Sequence, residues 1–136
     1  MRIAFGADDE GDLVPAVTAH LRRAGHEVVE PVPVGSPWPD VGRTVGEAVA
    51  QGGADLGIVC CWTGTGVSMA ANKVPGIRAA LCDDAVTADG ARRWNDANVL
   101  ALSMRTTAPG AAPAIVDAFL TGQPDEDERP NFGRLD

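Results

Sequence analysis

Residues that could carry out chemistry are concentrated in one short stretch, residues 60–66, with the sequence C-C-W-T-G-T-G. An apolar run at residues 56–59 precedes it and good helix formers follow it, so the stretch is predicted to form a strand-to-helix turn. Parallel α/β sheets bind their ligands at such turns. Glycines there let backbone N–H groups approach an anion, and a helix N-terminus lowers the pKa of a nearby thiol. The stretch therefore predicts a reactive thiolate beside an anion-binding loop.

The common glycine-rich nucleotide motifs fit this stretch poorly. Gly64-Thr65-Gly66 lacks the third glycine of the dinucleotide fingerprint at its proper spacing, and it follows the third predicted strand. Lys73 lacks the neighbouring glycine and hydroxyl residue that a Walker motif requires. Neither NAD nor a nucleoside triphosphate is therefore expected.

The two adjacent cysteines cannot both serve the site. Side chains alternate along a strand, so only one of Cys60 and Cys61 can face the turn while the other fills core. A metal centre needs more ligands than two adjacent thiols and the remote His20 and His26 provide. No metal site is expected, and three cysteines favour reduced thiols over a disulfide framework.

Charge and length limit the classes of partner. A net charge of −8 over 136 residues argues against nucleic acid or an anionic membrane surface as the partner. The chain has no charged-then-apolar leader and no apolar stretch long enough to span a bilayer, so a cytoplasmic location is expected. One globular domain over residues 1–122 is predicted.

Strand and helix patterns alternate along that domain. Strands are predicted at 2–7, 26–29, 56–60, 77–81 and 99–102. Helices are predicted at 12–24, from 40 or 41 to 51, after the turn at 66, at 85–93 and at 111–120, and the proline-rich segment 31–39 is predicted to be a loop. Helical crossovers between strands imply a Rossmann-like α/β fold, a three-layer α/β/α sandwich around a five-stranded, mostly parallel sheet.

The C-terminal tail, residues 123–136, is rich in proline and charge. This composition is too polar to pack as core. The tail is predicted to be either disordered or an arm that lies on another subunit.

Several motifs occur in a fixed order over residues 1–122. They are G-A-D ending at Asp8, W-P-D beginning at Trp38, C-x-T-G-x-G beginning at Cys61, A-A-N-K-V-P-G-I-R-A-A over 70–80, and N-D-A-N-V-L-A-L over 95–102 followed by Arg105. Together they resemble the sugar-phosphate isomerase family typified by ribose-5-phosphate isomerase B and galactose-6-phosphate isomerase. The combination is far more specific than a single glycine-rich loop.

The resemblance implies a cofactor-independent reaction in which an aldose phosphate and a ketose phosphate interconvert through a cis-enediolate. Cys61 matches the cysteine whose thiolate moves a proton between C1 and C2. Thr63 would hydrogen-bond the thiol, and Asn95 would help to hold the developing oxyanion. Backbone N–H groups would form the anion hole around Gly64, Thr65 and Gly66. These roles agree with a base tuned near neutral pH and donors aimed at an enediolate oxygen.

The resemblance also implies how the substrate is held. Asp8 would bind a substrate hydroxyl and Arg105 would bind the phosphate. Either Arg129 or Arg134 in the tail would add a phosphate contact, reaching from one subunit into its neighbour. A homodimer or homotetramer with shared sites is therefore expected. Structural roles are expected for Asn72, Lys73 and Arg78.

Three positions depart from the family pattern. Asp9 and Trp94 replace histidines that many members carry, and Trp62 replaces the glycine after the catalytic cysteine. In the pentose-phosphate enzymes the second histidine opens the furanose ring, and an indole cannot shuttle that proton. A tetrose 4-phosphate has no free hydroxyl to close such a ring, and two tryptophans suit a smaller substrate. A tetrose 4-phosphate is therefore favoured, as in the family branch that acts on erythrose 4-phosphate, and ribose 5-phosphate is retained if Trp94 only packs.

Asp9 supports a competing interpretation. A carboxylate beside a phosphate dianion costs about 1 kcal/mol in high dielectric and several when partly buried. If Asp9 faces the pocket, an isomerase of a non-phosphorylated or otherwise modified sugar becomes the alternative. A catalytically silent sugar-binding homologue is a third hypothesis, in which Cys61, Thr63 and Asn95 have no catalytic role.

Overall fold

A computed structural model describes residues 1–136 as alternating strands and helices. The strands are β1 (Arg2–Ala7), β2 (Glu27–Val29), β3 (Leu56–Cys61), β4 (Ala79–Leu81) and β5 (Val99–Ser103). The helices are α1 (Leu13–Arg23), α2 (Trp38–Ala50), α3 (Thr65–Asn72), α4 (Ala85–Asn95), α5 (Ala112–Thr121) and α6 (Arg129–Phe132), with a 3-10 turn over Glu126–Glu128.

The five strands form one sheet in the order β2-β1-β3-β5-β4, and every pairing is parallel. This confirms the predicted α/β fold and sharpens "mostly parallel" to wholly parallel. The connection that leaves β1 leads to β2 at one side of the sheet, whereas the connection that leaves β3 leads to β4 at the other side. The direction of the strand order therefore changes between β1 and β3. Such a switch point opens a crevice at the carboxyl ends of the strands, where ligands bind.

Two apolar layers cover the two faces of the sheet. Phe5, Leu21 and Phe119 belong to the layer under α1, α4 and α5, and Val45 and Val67 belong to the layer under α2 and α3. These five side chains are fully buried. Helices on both faces complete the predicted three-layer sandwich. No helix in the structure is both long and apolar enough to cross a membrane.

Helices α2 and α3 approach one another closely at Gly42. A Cβ atom at this position would lie 2.6 Å from the Cβ of Ala70 and 2.6 Å from the carbonyl oxygen of Val67. Only glycine lets the two helix backbones meet at this distance. The contact fixes α3, and with it the turn that precedes α3.

The predicted loop at 31–39 ends earlier than expected, because α2 already begins at Trp38. Pro39 lies in the first turn of this helix, where a residue without an N–H group leaves no intrahelical hydrogen bond unmade. Strand β3 continues through Cys61, one residue beyond the prediction, and β4 begins only at Ala79.

The tail folds back onto its own chain. Phe132 is only 6% exposed, and the backbone N–H of Asp125 donates to the carbonyl of Arg93 at 2.8 Å. At its end, Asp136 pairs with Arg78 at 3.0 Å, which confirms a structural role for Arg78. The expectation that the tail is too polar to pack as core is therefore wrong for Phe132, and the hydrogen bond and the ion pair attach other parts of the tail to the chain.

Candidate active site

The turn after β3 is built around Gly64. Its φ of 77° lies in the left-handed region, and it forms the N-cap of α3. A Cβ atom here would lie 2.5 Å from Cδ1 of Leu81 and 3.0 Å from the carbonyl carbon of Leu102. Both the backbone conformation and the space therefore require glycine.

The first turn of α3 presents unpaired N–H groups. The first helical hydrogen bond runs from the Ser68 N–H to the Gly64 carbonyl at 3.3 Å. The N–H groups of Thr65, Gly66 and Val67 therefore have no intrahelical acceptor. Together with the positive end of the helix dipole, they form an anion-binding site directly after β3.

The two adjacent cysteines lie on opposite faces of the sheet, as alternation predicts. Cys60 packs in the layer under α1, α4 and α5, whereas Cys61 packs in the layer under α2 and α3 and is 5% exposed. Burial raises the pKa of Cys60 far above its ordinary value, and the neighbouring Cys61 and Asp8 raise it further. Burial, together with Asp84 and Asp83, raises the pKa of Cys82 to about 11. Cys60 and Cys82 are therefore neutral thiols at physiological pH.

Asp8 lies level with Cys61 at the carboxyl edge of the sheet. Ala7 is in register with Cys60, and the N–H of Asp8 donates to the Cys60 carbonyl at 3.1 Å. Asp8 therefore directly follows β1, beside the last residues of β3, and its side chain is partly buried. Burial raises the pKa of Asp8, the charge of Asp9 raises it further, and a backbone hydrogen bond partly opposes both effects.

Thr63 does not contact the thiol, contrary to the expectation from the family resemblance. Its hydroxyl is 2.7 Å from the hydroxyl of Thr65 and so makes a hydrogen bond within the turn. Thr63 is exposed, whereas the Cys61 thiol is buried at the end of the strand. The hydroxyl pair instead holds the mouth of the turn in shape.

The loop after β5 fixes the turn from the other side. The Ser103 hydroxyl and the N–H of Arg105 both donate to the Trp62 carbonyl at 2.9 Å, and the Met104 N–H donates to the Cys61 carbonyl at 2.9 Å. Ser103 was missed in the sequence. Its place at the end of a strand, two residues before Arg105, is the signal that could have identified it.

Trp38 is a second residue whose role was not predicted. Its motif was recognised, but the structure shows that its ring forms a wall beside the turn. A Cβ atom on Gly66 would lie 2.9 Å from this ring, so the ring packs closely against the anion-binding loop. Trp38 nevertheless remains 46% exposed, which leaves an aromatic surface available to a ligand.

The three predicted phosphate-binding arginines differ in availability. The guanidinium groups of Arg105 and Arg134 have no hydrogen-bond or ion-pair partner and are exposed. Arg129 makes two hydrogen bonds of 2.8 Å to Glu126, and it stacks on the ring of Phe132. Arg105 and Arg134 can therefore receive a phosphate without breaking an existing pair.

A single chain does not bring Asn95 or Trp94 to Cys61. Helix α4 runs antiparallel to the strands and ends at Asn95, which leads to the amino end of β5. Asn95 lines a depression of about 330 Å³ with Arg78 and Leu135, at the opposite edge of the sheet from Cys61. The expected oxyanion contact of Asn95 is therefore absent within one chain.

Asn72 braces the segment after the site, as expected. Its amide donates to the Ala79 carbonyl at 3.0 Å and accepts from the Ala79 N–H at 2.8 Å. This reciprocal pair ties the end of α3 to the start of β4. Asp9 and Trp62, two departures from the family pattern, line one pocket beside the turn.

Comparison with known proteins places this geometry in a family. Residues 3–133 match the model of the Ribose/Galactose Isomerase family. Ribose-5-phosphate isomerase B of Escherichia coli is 41% identical over 126 residues, covering 90% of this chain and 85% of that protein. D-erythrulose-4-phosphate isomerase of Pectobacterium atrosepticum is 38% identical over 128 residues, covering 90% of this chain and 84% of that protein.

A solved structure gives the same assignment at the level of the fold. Ribose-5-phosphate isomerase B of Clostridium thermocellum superposes with a TM-score of 0.93 at 38% identity, covering 99% of this chain and 95% of that chain. The all-parallel sheet, the cysteine at its carboxyl edge and the glycine turn thus agree with sequence similarity along almost the whole chain. The chain belongs to the Ribose/Galactose Isomerase family of aldose-ketose isomerases.

Proposed function

We propose that this protein interconverts the aldose and ketose forms of a tetrose 4-phosphate, with Cys61 moving the proton. The observation that carries the proposal is the arrangement at the end of β3. Cys61 lies between Asp8, which directly follows β1, and Ser103 at the end of β5, shortly before the free N–H groups of α3. A base, a hydroxyl-binding carboxyl group and an anion hole thus meet at one edge of the sheet.

The chemistry would proceed without a cofactor. The Cys61 thiolate takes the proton from C2 of the aldose, and the C–H electron pair forms the C1–C2 double bond of a cis-enediolate. The N–H groups of Thr65, Gly66 and Val67 stabilise the negative oxygen on C1. A proton then passes from the oxygen on C2 to the oxygen on C1. The cysteine returns its proton to C1, which gives the ketose.

The preference for a tetrose rests on Trp94 and Trp62. Trp94 replaces the histidine that opens the furanose ring in the pentose-phosphate enzymes, and its indole does not titrate near neutral pH. A tetrose 4-phosphate needs no ring opening. The exposed ring of Trp62 takes up space directly after Cys61. The relatives named for tetrose and pentose phosphates are about equally similar, so overall identity does not distinguish between the substrates.

Solvent deuterium exchange into a panel of sugar phosphates tests the substrate. Exchange reports enediolate formation even where product is scarce. Erythrose 4-phosphate is expected to exchange at least about tenfold faster than ribose 5-phosphate, which corresponds to about 1.4 kcal/mol in the barrier. Equal rates for the two sugars would refute the ring-opening argument while leaving isomerase chemistry in place.

A second candidate is favoured by the surroundings of Asp9. The pocket that Asp9 shares with Trp62 also contains Glu10 and Asp12, and no lysine or arginine lines it. Such a pocket disfavours a phosphate at that end of the substrate. An isomerase of a non-phosphorylated or otherwise modified sugar is therefore the alternative. Faster exchange into a sugar without a phosphate would establish it.

Cys61 and Asn95 lie at opposite edges of the sheet in one chain, but they could meet in a site shared between two subunits. Such sites would form in a homodimer, or in a homotetramer built from such dimers. Asn95 and the free Arg134 belong to the end of the molecule away from Cys61. A two-fold axis that places this end of one subunit against the turn of its partner would complete two identical sites. The unpaired Arg134 would then supply a phosphate contact across the interface.

Mixing two inactive variants tests the shared site. Cys61→Ala and Asn95→Ala are each expected to be inactive as homodimers. After subunit exchange, mixed dimers would hold one intact site each, so about a quarter of the wild-type activity should return. A mixture that stays inactive after proven exchange, or a monomer by sedimentation at micromolar concentration, would contradict the model.

A further inference from the structure

Helix α4 ends in a strained backbone conformation at Asp96. This residue follows Asn95, the last residue of the helix, and its φ of 48° lies in the left-handed region. Every other positive φ in the chain belongs to a glycine. A residue with a Cβ atom is strained in this region, and such strain persists only where the surroundings impose it. The contacts of Asp96 therefore determine how α4 ends.

Arg78 holds Asp96 by two separate groups. Its Nε donates to the Asp96 carbonyl at 2.7 Å, and its Nη2 donates to the Asp96 carboxylate at 3.0 Å. Both side chains are partly buried, with 16% of Arg78 and 29% of Asp96 exposed. An arginine that binds two acceptors at once fixes their orientation as well as adding energy. The pair therefore fixes both the backbone and the side chain of the residue after Asn95.

The rest of the connection between α4 and β5 is also anchored. The Ala97 carbonyl accepts a hydrogen bond of 2.6 Å from the buried Arg92. The Asn98 side chain accepts from the Arg78 N–H at 2.8 Å and donates to the Gly76 carbonyl at 2.9 Å. The whole connection is thus tied to α4 itself and to the segment before β4.

Asn95 differs from the residues that follow it. Its side chain is exposed and makes no hydrogen bond within the chain, although each of the next three residues is anchored. The amide therefore has its donors available to a group outside the chain. Because the backbone after Asn95 is fixed, less freedom is lost when this amide meets a ligand.

Ending the helix does not require the carboxylate of Asp96. Glycine is the usual residue at a left-handed helix end, and it adopts this conformation at no steric cost. The Asp96 N–H already donates to the Arg92 carbonyl at 3.2 Å, and the next N–H along the chain donates to the Ala91 carbonyl at 3.0 Å. What a glycine lacks is the group that Nη2 of Arg78 binds. The carboxylate therefore restricts the connection after α4 rather than ending the helix.

We propose that Asp96 is a positioning residue, which with Arg78 holds Asn95 in the orientation that directs its amide to the enediolate oxygen. The inference rests on the proposed function, in which Asn95 enters the site of a partner subunit. Asp96 touches no substrate in this scheme and acts only through the backbone that it shares with Asn95. A contact made only in the transition state affects kcat and not substrate binding. Loss of the carboxylate should therefore lower kcat and leave KM nearly unchanged.

Asp96→Gly tests this role, because it removes the carboxylate and keeps the left-handed conformation. Deuterium exchange is measured at several concentrations of erythrose 4-phosphate and ribose 5-phosphate, and the sugar that the wild-type protein exchanges faster is used. The rate at saturation should fall at least about tenfold, since a small displacement of a positioned group is costly. The concentration at half-saturation should change less than about twofold. Urea denaturation establishes that the variant is folded.

Two further variants separate positioning from charge. Asp96→Asn tolerates the left-handed conformation and still offers an oxygen to Arg78, so it should exchange at least about threefold faster than Asp96→Gly. Asp89→Asn removes an equal charge from an exposed position of the same helix, where Asp89 pairs with Arg93 at 3.6 Å, and it should leave the rate unchanged. An Asp96→Asn variant no faster than Asp96→Gly, or an Asp89→Asn variant that is equally slow, would overturn the inference.

A double-variant cycle shows whether Asp96 acts through Asn95. In Asn95→Ala, whose residual exchange is followed over days, adding Asp96→Gly should slow the rate less than about twofold. A further tenfold loss or so would mean that Asp96 acts on the fold as a whole. That result, an unchanged rate in Asp96→Gly alone, or an Asn95→Ala variant that exchanges like the wild-type protein would refute the inference and leave Cys61 chemistry standing. A wild-type protein that exchanges deuterium into no sugar would instead overturn the isomerase proposal, and the inference with it.

Discussion

Replacing Cys61 with alanine is expected to lower solvent deuterium exchange into the substrate by about 10³-fold to 10⁴-fold. A positioned general base typically contributes 10² to 10⁴ in rate, and no second titrating side chain lies level with Cys61 except Asp8. The rate is measured by NMR as loss of the C2 proton signal in deuterated buffer. The anion hole and the substrate contacts remain, so binding should change little.

Two cysteine variants control this result. Cys82→Ala removes a buried thiol whose pKa is raised to about 11, and it should keep most of the activity. Cys61→Ser preserves shape but provides a hydroxyl that does not ionise near neutral pH, and it should be as slow as alanine. An active Cys61→Ser variant would show that the thiolate is not the base.

Iodoacetamide labelling gives an independent readout. Cys60 and Cys82 are 0% exposed and their pKa values are raised, whereas Cys61 is 5% exposed, so at pH 8 the native protein should be labelled fastest at Cys61. A bound sugar phosphate should slow the labelling. Labelling that no sugar phosphate affects, together with no exchange into any sugar, would favour the catalytically silent homologue.

The parts of the site that depend on local sequence could be predicted. Alternation along a strand separates Cys60 from Cys61, and a glycine directly before helix formers places the turn. These are properties of a few consecutive residues. They do not depend on which elements later pack against them.

The remaining features depend on contacts between distant residues. The burial of Phe132 on α4 outweighs the polar composition of the tail, and composition alone contains no information about that contact. The hydrogen bond of 2.7 Å between the hydroxyls of Thr63 and Thr65 could not be predicted for a similar reason, because it depends on how the turn folds. The distance between Asn95 and Cys61 follows from the direction of α4, so a motif match alone cannot place both in one site.

The expected effect of Gly64→Ala is a loss of about 3 kcal/mol in the free energy of unfolding, with a large loss of activity. A left-handed conformation costs a residue with a Cβ atom about 1–2 kcal/mol. The added methyl group would also lie 2.5 Å from Leu81 and 3.0 Å from the backbone of Leu102, and such overpacking costs a further 1–3 kcal/mol or so. Urea denaturation gives the stability, and deuterium exchange gives the activity.

Gly52→Ala separates the two costs. Gly52 has a φ of 79°, against 77° for Gly64, but a Cβ atom on Gly52 would meet nothing within 4 Å. This variant should therefore lose only the conformational part, about 1 kcal/mol, and keep its activity. The difference in the free energy of unfolding between the two variants measures how tightly β4 and β5 hold the turn.

Because a shift of about 1 Å at a reacting group can cost about 10² in rate, Gly64→Ala should lose activity even where it remains folded. Equal losses of stability in both variants, with activity retained, would mean that the turn can move without affecting the chemistry, and that Cys61 does not depend on the anion hole.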